Sequence, residues 1–312
     1  MKRMFVFFII FVFTIGIGSI YFLNRTGPEQ QDIVISPQKE QQVVYKMPFE
    51  RETPKEEVKV DTQAQEEVAL PDKIIEAVQW TVEAFPDHET QIVAVGDSLT
   101  EGFGDTSKRG GYVGILDRTL NEERQIATIN NFGKRGISSA QLLQQLNKEE
   151  VFTAIKDSNI ILITIGANDL LQVVRENIAD LQIEDFAPKQ MEFGKNVNRI
   201  IEQIQEINSS SRIYLIGFYN PFDRYFSDIK ELNMIVDSWN NTTRLISERY
   251  SNLTFIPTDD LFQDEEINLL AEDNFHPNYI GYHRIAARVL AYITKEKDEE
   301  HVHSKPAFER KK

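Results

Sequence analysis

Four short patches of this chain carry side chains suited to acyl transfer. They are Gly96-Asp97-Ser98-Leu99-Thr100, Asn131-Phe132-Gly133-Lys134-Arg135-Gly136, Gly166-Ala167-Asn168-Asp169 and Asp273-Asn274-Phe275-His276-Pro277. Cleaving an ester by this route needs a nucleophile, a base for its proton, and donors aimed at the tetrahedral oxyanion. Ser98 offers the hydroxyl. Asp273 and His276 can share one face of a single turn, so that the carboxylate accepts the imidazole Nδ1–H. His276 would take the Ser98 proton and return it to the leaving alcohol, while Asp273 fixes the tautomer and stabilises the imidazolium. Pro277 suits the first position of a closing helix. The Gly136 N–H can approach an oxyanion closely, the Asn168 amide can donate a second bond, and the Ser98 N–H a third.

Each patch has a plainer reading by itself. Gly-Asp-Ser is a good turn, and a His-Pro step often opens a helix. Gly136 can be only a turn residue, and Asn168 or Asp169 can cap a helix. Their order along the chain, each at the end of an apolar run or just before the last helix, favours the chemical reading.

The elements that must position these groups follow from the hydrophobic pattern. Near-continuous aliphatic runs at Ile92–Val95, Ile126–Asn130, Ile160–Ile165, Ile213–Ile216 and Leu253–Ile256 predict strands buried on both faces. Helical spacing is seen at about Tyr112–Glu122, Ser138–Leu146, Met191–Asn208, Asp228–Tyr250 and Asn278–Thr294. A further amphipathic stretch carries Ile74, Ile75, Val78, Val82 and Phe85 behind Asp72, a suitable N-cap. Alternating strands and helices imply an α/β fold on a parallel sheet, whose active groups collect at the carboxyl ends of the strands. The folded domain is placed at 72–294, with a charged, frayed tail at 295–312.

The ends of the chain differ in character. Lys2 and Arg3 precede an uncharged run from Met4 to Leu23, closed by Asn24-Arg25. Such a run spans roughly 30 Å as a helix, enough to cross a bilayer. Residues 1–25 therefore predict a transmembrane anchor. A signal peptide cleaved after Gly16-Ile17-Gly18 is the alternative, disfavoured because apolar sequence continues through Leu23. The basic pair keeps the N-terminus cytoplasmic and everything after Asn24 outside. Residues 26–71 hold ten acids, five bases and five of the eleven prolines, the composition of a disordered linker. The net charge of −15 argues against a nucleic-acid partner. The absence of cysteine excludes a disulfide framework and a thiol nucleophile.

The four blocks make the chain similar to the SGNH (GDSL) hydrolase superfamily over about residues 90–294. The likeness rests on Gly96-Asp97-Ser98-Leu99-Thr100 with Gly102, the block ending at Gly136, Gly166-x-Asn168-Asp169, and Asp273-x-x-His276-Pro277 with Gly281-Tyr282. It implies a flavodoxin-like, three-layer α/β/α sandwich on a five-stranded parallel sheet. It also implies a catalytic set of Ser98, His276 and Asp273 with an oxyanion hole from Ser98, Gly136 and Asn168, and no cofactor or metal. With the N-terminal segment, the chain resembles membrane-anchored, lysophospholipase-like esterases of Gram-positive bacteria. The expected substrate is a carboxylic ester: a lysophospholipid, another lipid, or an O-acetylated glycan.

Other classes fit less well. An ordinary α/β-hydrolase needs glycine where Thr100 stands. A metal hydrolase has little support, because His88, His283, His301 and His303 are scattered. Asp259 and Asp260 follow a strand and could be rival acids, but turn acids there are commonplace. A non-catalytic wall- or glycan-binding module on the same scaffold is the alternative from another class; it has no need of nucleophile, base and oxyanion donors together. Phe218, Tyr219, Phe222, Tyr225 and Phe226 follow the fourth strand, and either wall the substrate or cover the sheet edge.

Overall fold

A computed structural model describes residues 90–122, 124–177, 180–221, 230–263 and 267–304. The expected anchor at 1–25, the linker at 26–71, the amphipathic stretch after Asp72 and His88 all lie outside them, as do Phe222, Tyr225 and Phe226. Among the described residues no helix is long and apolar enough to cross a membrane.

Five strands form one parallel sheet in the order β2-β1-β3-β4-β5. They are β1 (Thr90–Gly96), β2 (Ala127–Gly133), β3 (Ile160–Thr164), β4 (Arg212–Ile216) and β5 (Leu253–Ile256). The helices are α1 (Ser98–Glu101), α2 (Gly111–Leu120), α3 (Ser139–Gln145), α4 (Glu149–Lys156), α5 (Ala167–Glu176), α6 (Phe186–Ile207), α7 (Lys230–Ser247) and α8 (Tyr279–Ser304). Short 3-10 turns cover Ile183–Asp185 and Asp259–Phe262.

All five expected strands are present. Alternation along them builds two cores, since successive side chains point to opposite faces. Val93, Val95, Ile161, Ile163, Ile213 and Leu215 pack with α3, α4, α5, α6 and α7 on one face. Ile92, Ala94, Ile160, Leu162, Tyr214 and Ile216 pack with α2 and α8 on the other. The result is three layers. On the first face Trp239 is fully buried, its ring stacked on Phe193 at 4.8 Å between centroids.

Some boundaries differ from the sequence expectation. β2 runs past the expected Asn130 to Gly133, as an edge strand that is only partly buried. α6 starts at Phe186 rather than Met191, because Pro188 lies in its first turn, where no intrahelical N–H is required. α4 has no counterpart among the expected helices, and α5 was foreshadowed only by the plainer reading of Asn168 and Asp169 as caps; it buries only Asp169, Val173 and Val174, too little for a clear helical stripe. α8 continues to Ser304, ten residues past Thr294, through a Lys- and Glu-rich stretch of good helix formers, so the segment first read as frayed is helical there.

The register brings the carboxyl ends level. Gly96 pairs with Gly133 and Thr164, Thr164 with Ile216, and Ile216 with Ile256. Ser98, Gly136 and Asn168 each lie just beyond that line. Truncating Trp239→Ala removes a ring that nothing nearby can replace, and is expected to cost about 3–5 kcal/mol in urea unfolding. Phe152→Ala, at a ring 44% exposed, should stay within about 1 kcal/mol in the same measurement.

Candidate active site

Ser98 opens α1, a single turn directly after β1. Asp97 is its N-cap and accepts the Leu99 N–H on Oδ1 at 3.1 Å, which fixes the helix start. Gly102 ends it in the left-handed conformation, and the Phe103 N–H donates back to the Ser98 carbonyl at 3.0 Å. Ser98 is therefore held from both sides.

Asp273 and His276 sit on a tight hairpin whose base is an antiparallel bridge between Leu270 and Pro277. The Ala271 N–H donates to the His276 carbonyl at 2.8 Å. Asp273 Oδ1 accepts the Phe275 and His276 backbone N–H groups at 3.0 and 2.9 Å, while its Oδ2 lies 2.6 Å from His276 Nδ1. His276 Nε2 is 2.9 Å from Ser98 Oγ. A relay of hydroxyl, imidazole and carboxylate thus joins positions 178 residues apart in sequence. Burial alone would raise the Asp273 pKa; the His276 hydrogen bond and charge outweigh it, so the carboxyl sits below its usual range. Pro277 is not the first residue of α8. The helix starts at Tyr279 behind Asn278, whose Oδ1 accepts the Gly281 N–H at 3.0 Å, and Pro277 serves the hairpin bridge instead.

The second block is stitched to the first. Asn131 Nδ2 donates to the Thr100 carbonyl at 2.8 Å, and the Lys134 N–H to the Gly96 carbonyl at 2.9 Å. Arg135 donates its backbone N–H to Glu101 Oε2, and its Nε to Oε1 at 2.9 Å. Gly136 follows with φ of 78°, and a Cβ there would meet nothing within 4 Å. Its requirement for glycine is therefore the left-handed backbone, not crowding. Asn168 Nδ2 donates to the Ile137 carbonyl at 3.0 Å, which ties the third block to the residue after Gly136. An amide nitrogen has two protons, so one remains for another acceptor. Neither Asn168 nor Asp169 is the cap of α5, which is Gly166. Asp169 instead accepts the Ser139 N–H and hydroxyl at 2.8 and 2.6 Å, anchoring the start of α3.

The sequence profile of the GDSL-like Lipase/Acylhydrolase family matches residues 94–284, which contain all four blocks. The chain belongs to this family. The GDSL-like hydrolase is 35% identical over 219 residues to YpmR, an uncharacterised protein of Bacillus subtilis (strain 168), spanning 67% of this chain and 86% of that one. It is 26% identical over 206 residues to the spore germination lipase LipC of Bacillus licheniformis, spanning 64% of this chain and 95% of LipC. Among solved structures, the lipase Lip_vut3 from a goat rumen metagenome superposes with a TM-score of 0.57 at 26% identity, over 65% of this chain and 96% of Lip_vut3. The GDSL-like hydrolase is accordingly a carboxylic ester hydrolase.

Beneath Ser98 the GDSL-like hydrolase holds a buried polar chain that the sequence did not reveal. Asp97 Oδ1 also accepts the Thr164 hydroxyl at 2.9 Å; Thr164 and Thr100 hydroxyls are 2.7 Å apart, and Thr100 and Tyr112 hydroxyls 3.0 Å apart. Asp97 Oδ2 is buried with no hydrogen-bond partner among the described residues. Burial pushes the Asp97 carboxyl up to about 6, against the lowering effect of its Thr164 and Leu99 bonds.

Several other residues named from sequence find their places. Phe218 and Tyr219 are buried in the two cores, one on each face of the sheet, so neither walls a substrate. Tyr219 instead donates its hydroxyl to the Phe275 carbonyl at 2.7 Å, supporting the hairpin beside His276. Asp260 is bound by Arg288 at 3.0 and 2.5 Å, which removes it as a rival acid. His283 is half-buried with its ring edge-on to Tyr279.

The Asp97 carboxyl has a testable thermodynamic consequence. Its folded pKa lies above the unfolded value, so between about pH 4 and 6 the folded state keeps a proton that the unfolded state releases. Stability from this group is therefore lost as pH rises through that window. Relative to the native protein, Asp97→Asn should gain stability from pH 4 to 6 and show no further drift above it. Urea midpoints measured across pH 4–7 read this directly; a flat difference would contradict the assignment.

Proposed function

We propose that this chain is a serine acylhydrolase acting on lipid esters through an acyl-enzyme. The observation that carries the reading is the Ser98–His276–Asp273 relay, with contacts of 2.9 and 2.6 Å. In the proposed cycle Ser98 Oγ attacks the ester carbonyl carbon while its proton passes to His276 Nε2. Asp273 accepts from Nδ1 and stabilises the imidazolium. The carbonyl oxygen, now an anion, is bound by the Ser98 and Gly136 N–H groups and the free proton of Asn168 Nδ2. Collapse breaks the bond to the alcohol, which leaves with the proton from His276. Water then enters by the same route in reverse and releases the carboxylic acid, restoring Ser98.

The names of LipC and Lip_vut3 favour a lipid ester; an O-acetylated glycan is the competing substrate class within the same mechanism. A non-catalytic binding module is disfavoured, because binding gains nothing from a serine hydroxyl aligned on a histidine. We further propose that residues 1–25 hold the enzyme at the cell membrane with its catalytic domain outside. This rests on the uncharged run from Met4 to Leu23 behind Lys2 and Arg3. N-terminal sequencing of protein from isolated membranes tests it; a mature start near Ser19 would show a cleaved signal instead.

Turnover of acetyl, butyryl and longer p-nitrophenyl esters tests the reaction. Ser98→Ala is expected to lose on the order of a thousandfold or more in kcat. Asp273→Asn should lose roughly 10³–10⁴-fold by presenting the wrong tautomer, with KM little changed. Equal turnover by Ser98→Ala and the native protein ends the acylhydrolase reading. A preference for longer chains supports the lipid class, and a preference for acetyl the glycan class.

A further inference from the structure

Outside the relay, a second set of side chains closes around His276. Phe103 follows α1, and its ring meets the His276 ring in a T-shaped contact, with centroids 4.7 Å apart and planes at 77°. The Arg135 guanidinium lies over the same Phe103 ring, 4.5 Å from its centroid. Glu101 holds that guanidinium at 2.9 Å through Nε and 2.7 Å through Nη2, and also accepts the Arg135 backbone N–H. The Phe103 backbone is fixed in turn by the buried Tyr282, whose hydroxyl donates to the Phe103 carbonyl at 2.6 Å. Close approach is built in here: a Cβ on Gly104 would stand 2.8 Å from the His276 Cβ.

The ion pair in this arrangement is not explained by stability. The Arg135 and Glu101 side chains are 53% and 28% exposed, and ion pairs of that kind contribute little to folding. Yet the pair spans the two segments whose spacing matters most for the chemistry. Glu101 closes the turn that begins at Ser98, and Arg135 immediately precedes Gly136. A planar fork gripped by a carboxylate and laid on a ring fixes orientation better than a flexible ammonium does.

We propose that Phe103, braced by the Arg135–Glu101 pair, is a positioning group for the reaction. It holds the His276 ring in line with Ser98 Oγ, and the same brace sets the Gly136 N–H at the oxyanion. This inference rests on the acylhydrolase reading above. Its effect falls on the chemical step: a misplacement of about 1 Å in such a site can cost on the order of a hundredfold in rate. The effect is expected in kcat rather than KM, because the contacts of these side chains run to His276 and to one another.

The test uses the full-length protein with p-nitrophenyl acetate. Phe103→Leu, Arg135→Met and Glu101→Gln should each lower kcat by about ten- to a hundredfold, leave KM within about twofold, and keep the native melting temperature within a few degrees. Phe103→Tyr retains the ring and should recover most of the rate, whereas Arg135→Lys keeps charge without the fork and should not. Proton NMR adds a readout independent of turnover. The His276 Nδ1–H, in its 2.6 Å bond to Asp273, should resonate far downfield in the native protein and broaden in Phe103→Leu. Native kcat in all three variants, a loss confined to KM, or an unchanged Nδ1–H resonance throughout would overturn the proposal. A native protein without Ser98-dependent turnover would instead sink the acylhydrolase reading, leaving the resonance to decide whether Phe103 orients the ring.

Discussion

The level ending of β1 against both of its neighbours is the constraint on which the site depends. Because Gly96 pairs with Gly133 on one side and Thr164 on the other, three chain segments leave the sheet at the same height. In a parallel sheet a slip by one residue would flip every side chain to the opposite face and exchange the two cores. The aliphatic packing on both faces therefore holds Ser98, Gly136 and Asn168 at matching heights. The hydrogen bonds among the loops add to the positions that the hydrophobic cores set.

The buried chain from Asp97 through Thr164 and Thr100 to Tyr112 locks this arrangement at the point of greatest sensitivity. It joins the end of β1 to the end of β3, and α1 to α2. The hydroxyls in it are mutually satisfied, so their burial costs little. Asp97 is the exception, with one oxygen unpartnered and its proton affinity raised by burial. A carboxylate in so dry a position is retained at a cost to stability, and what it does in return is cap the turn that presents Ser98.

Much of this was readable from the chain. Ile92–Val95 and Ile160–Ile165 announce buried parallel strands because nothing else is so uniformly aliphatic over so short a run. Ser98, Asp273 and His276 stood out because acyl transfer demands those groups in that relation, and the fold brings them together. The last residues of β2 were missed because Asn131 is exposed and makes its bonds to the Thr100 carbonyl and the Gly133 N–H rather than to a core. Asp169 looked like a helix cap, since its partner Ser139 lies 30 residues away and no local pattern marks it. Phe218 and Tyr219 looked equally able to wall a pocket or fill a core, and only the packing decides for the core. Phe103, Arg135 and Glu101 were silent for the same reason: their roles exist only after β1 and β2 pair. The membrane segment remains a reading of composition.

The hairpin bearing His276 has a consequence for how this enzyme meets its substrate. It is latched at its base by Leu270 and Pro277, at its tip by the two amides on Asp273, and at its flank by Tyr219. Nothing about the imidazole waits on a ligand to be put in order. On the proposed mechanism, binding energy is then not needed for assembling the relay, and a substrate with few contacts beyond the ester itself is expected to be turned over. Discrimination among natural esters then falls to the surrounding loops, which can diverge in length and sequence while the reacting groups stay where they are.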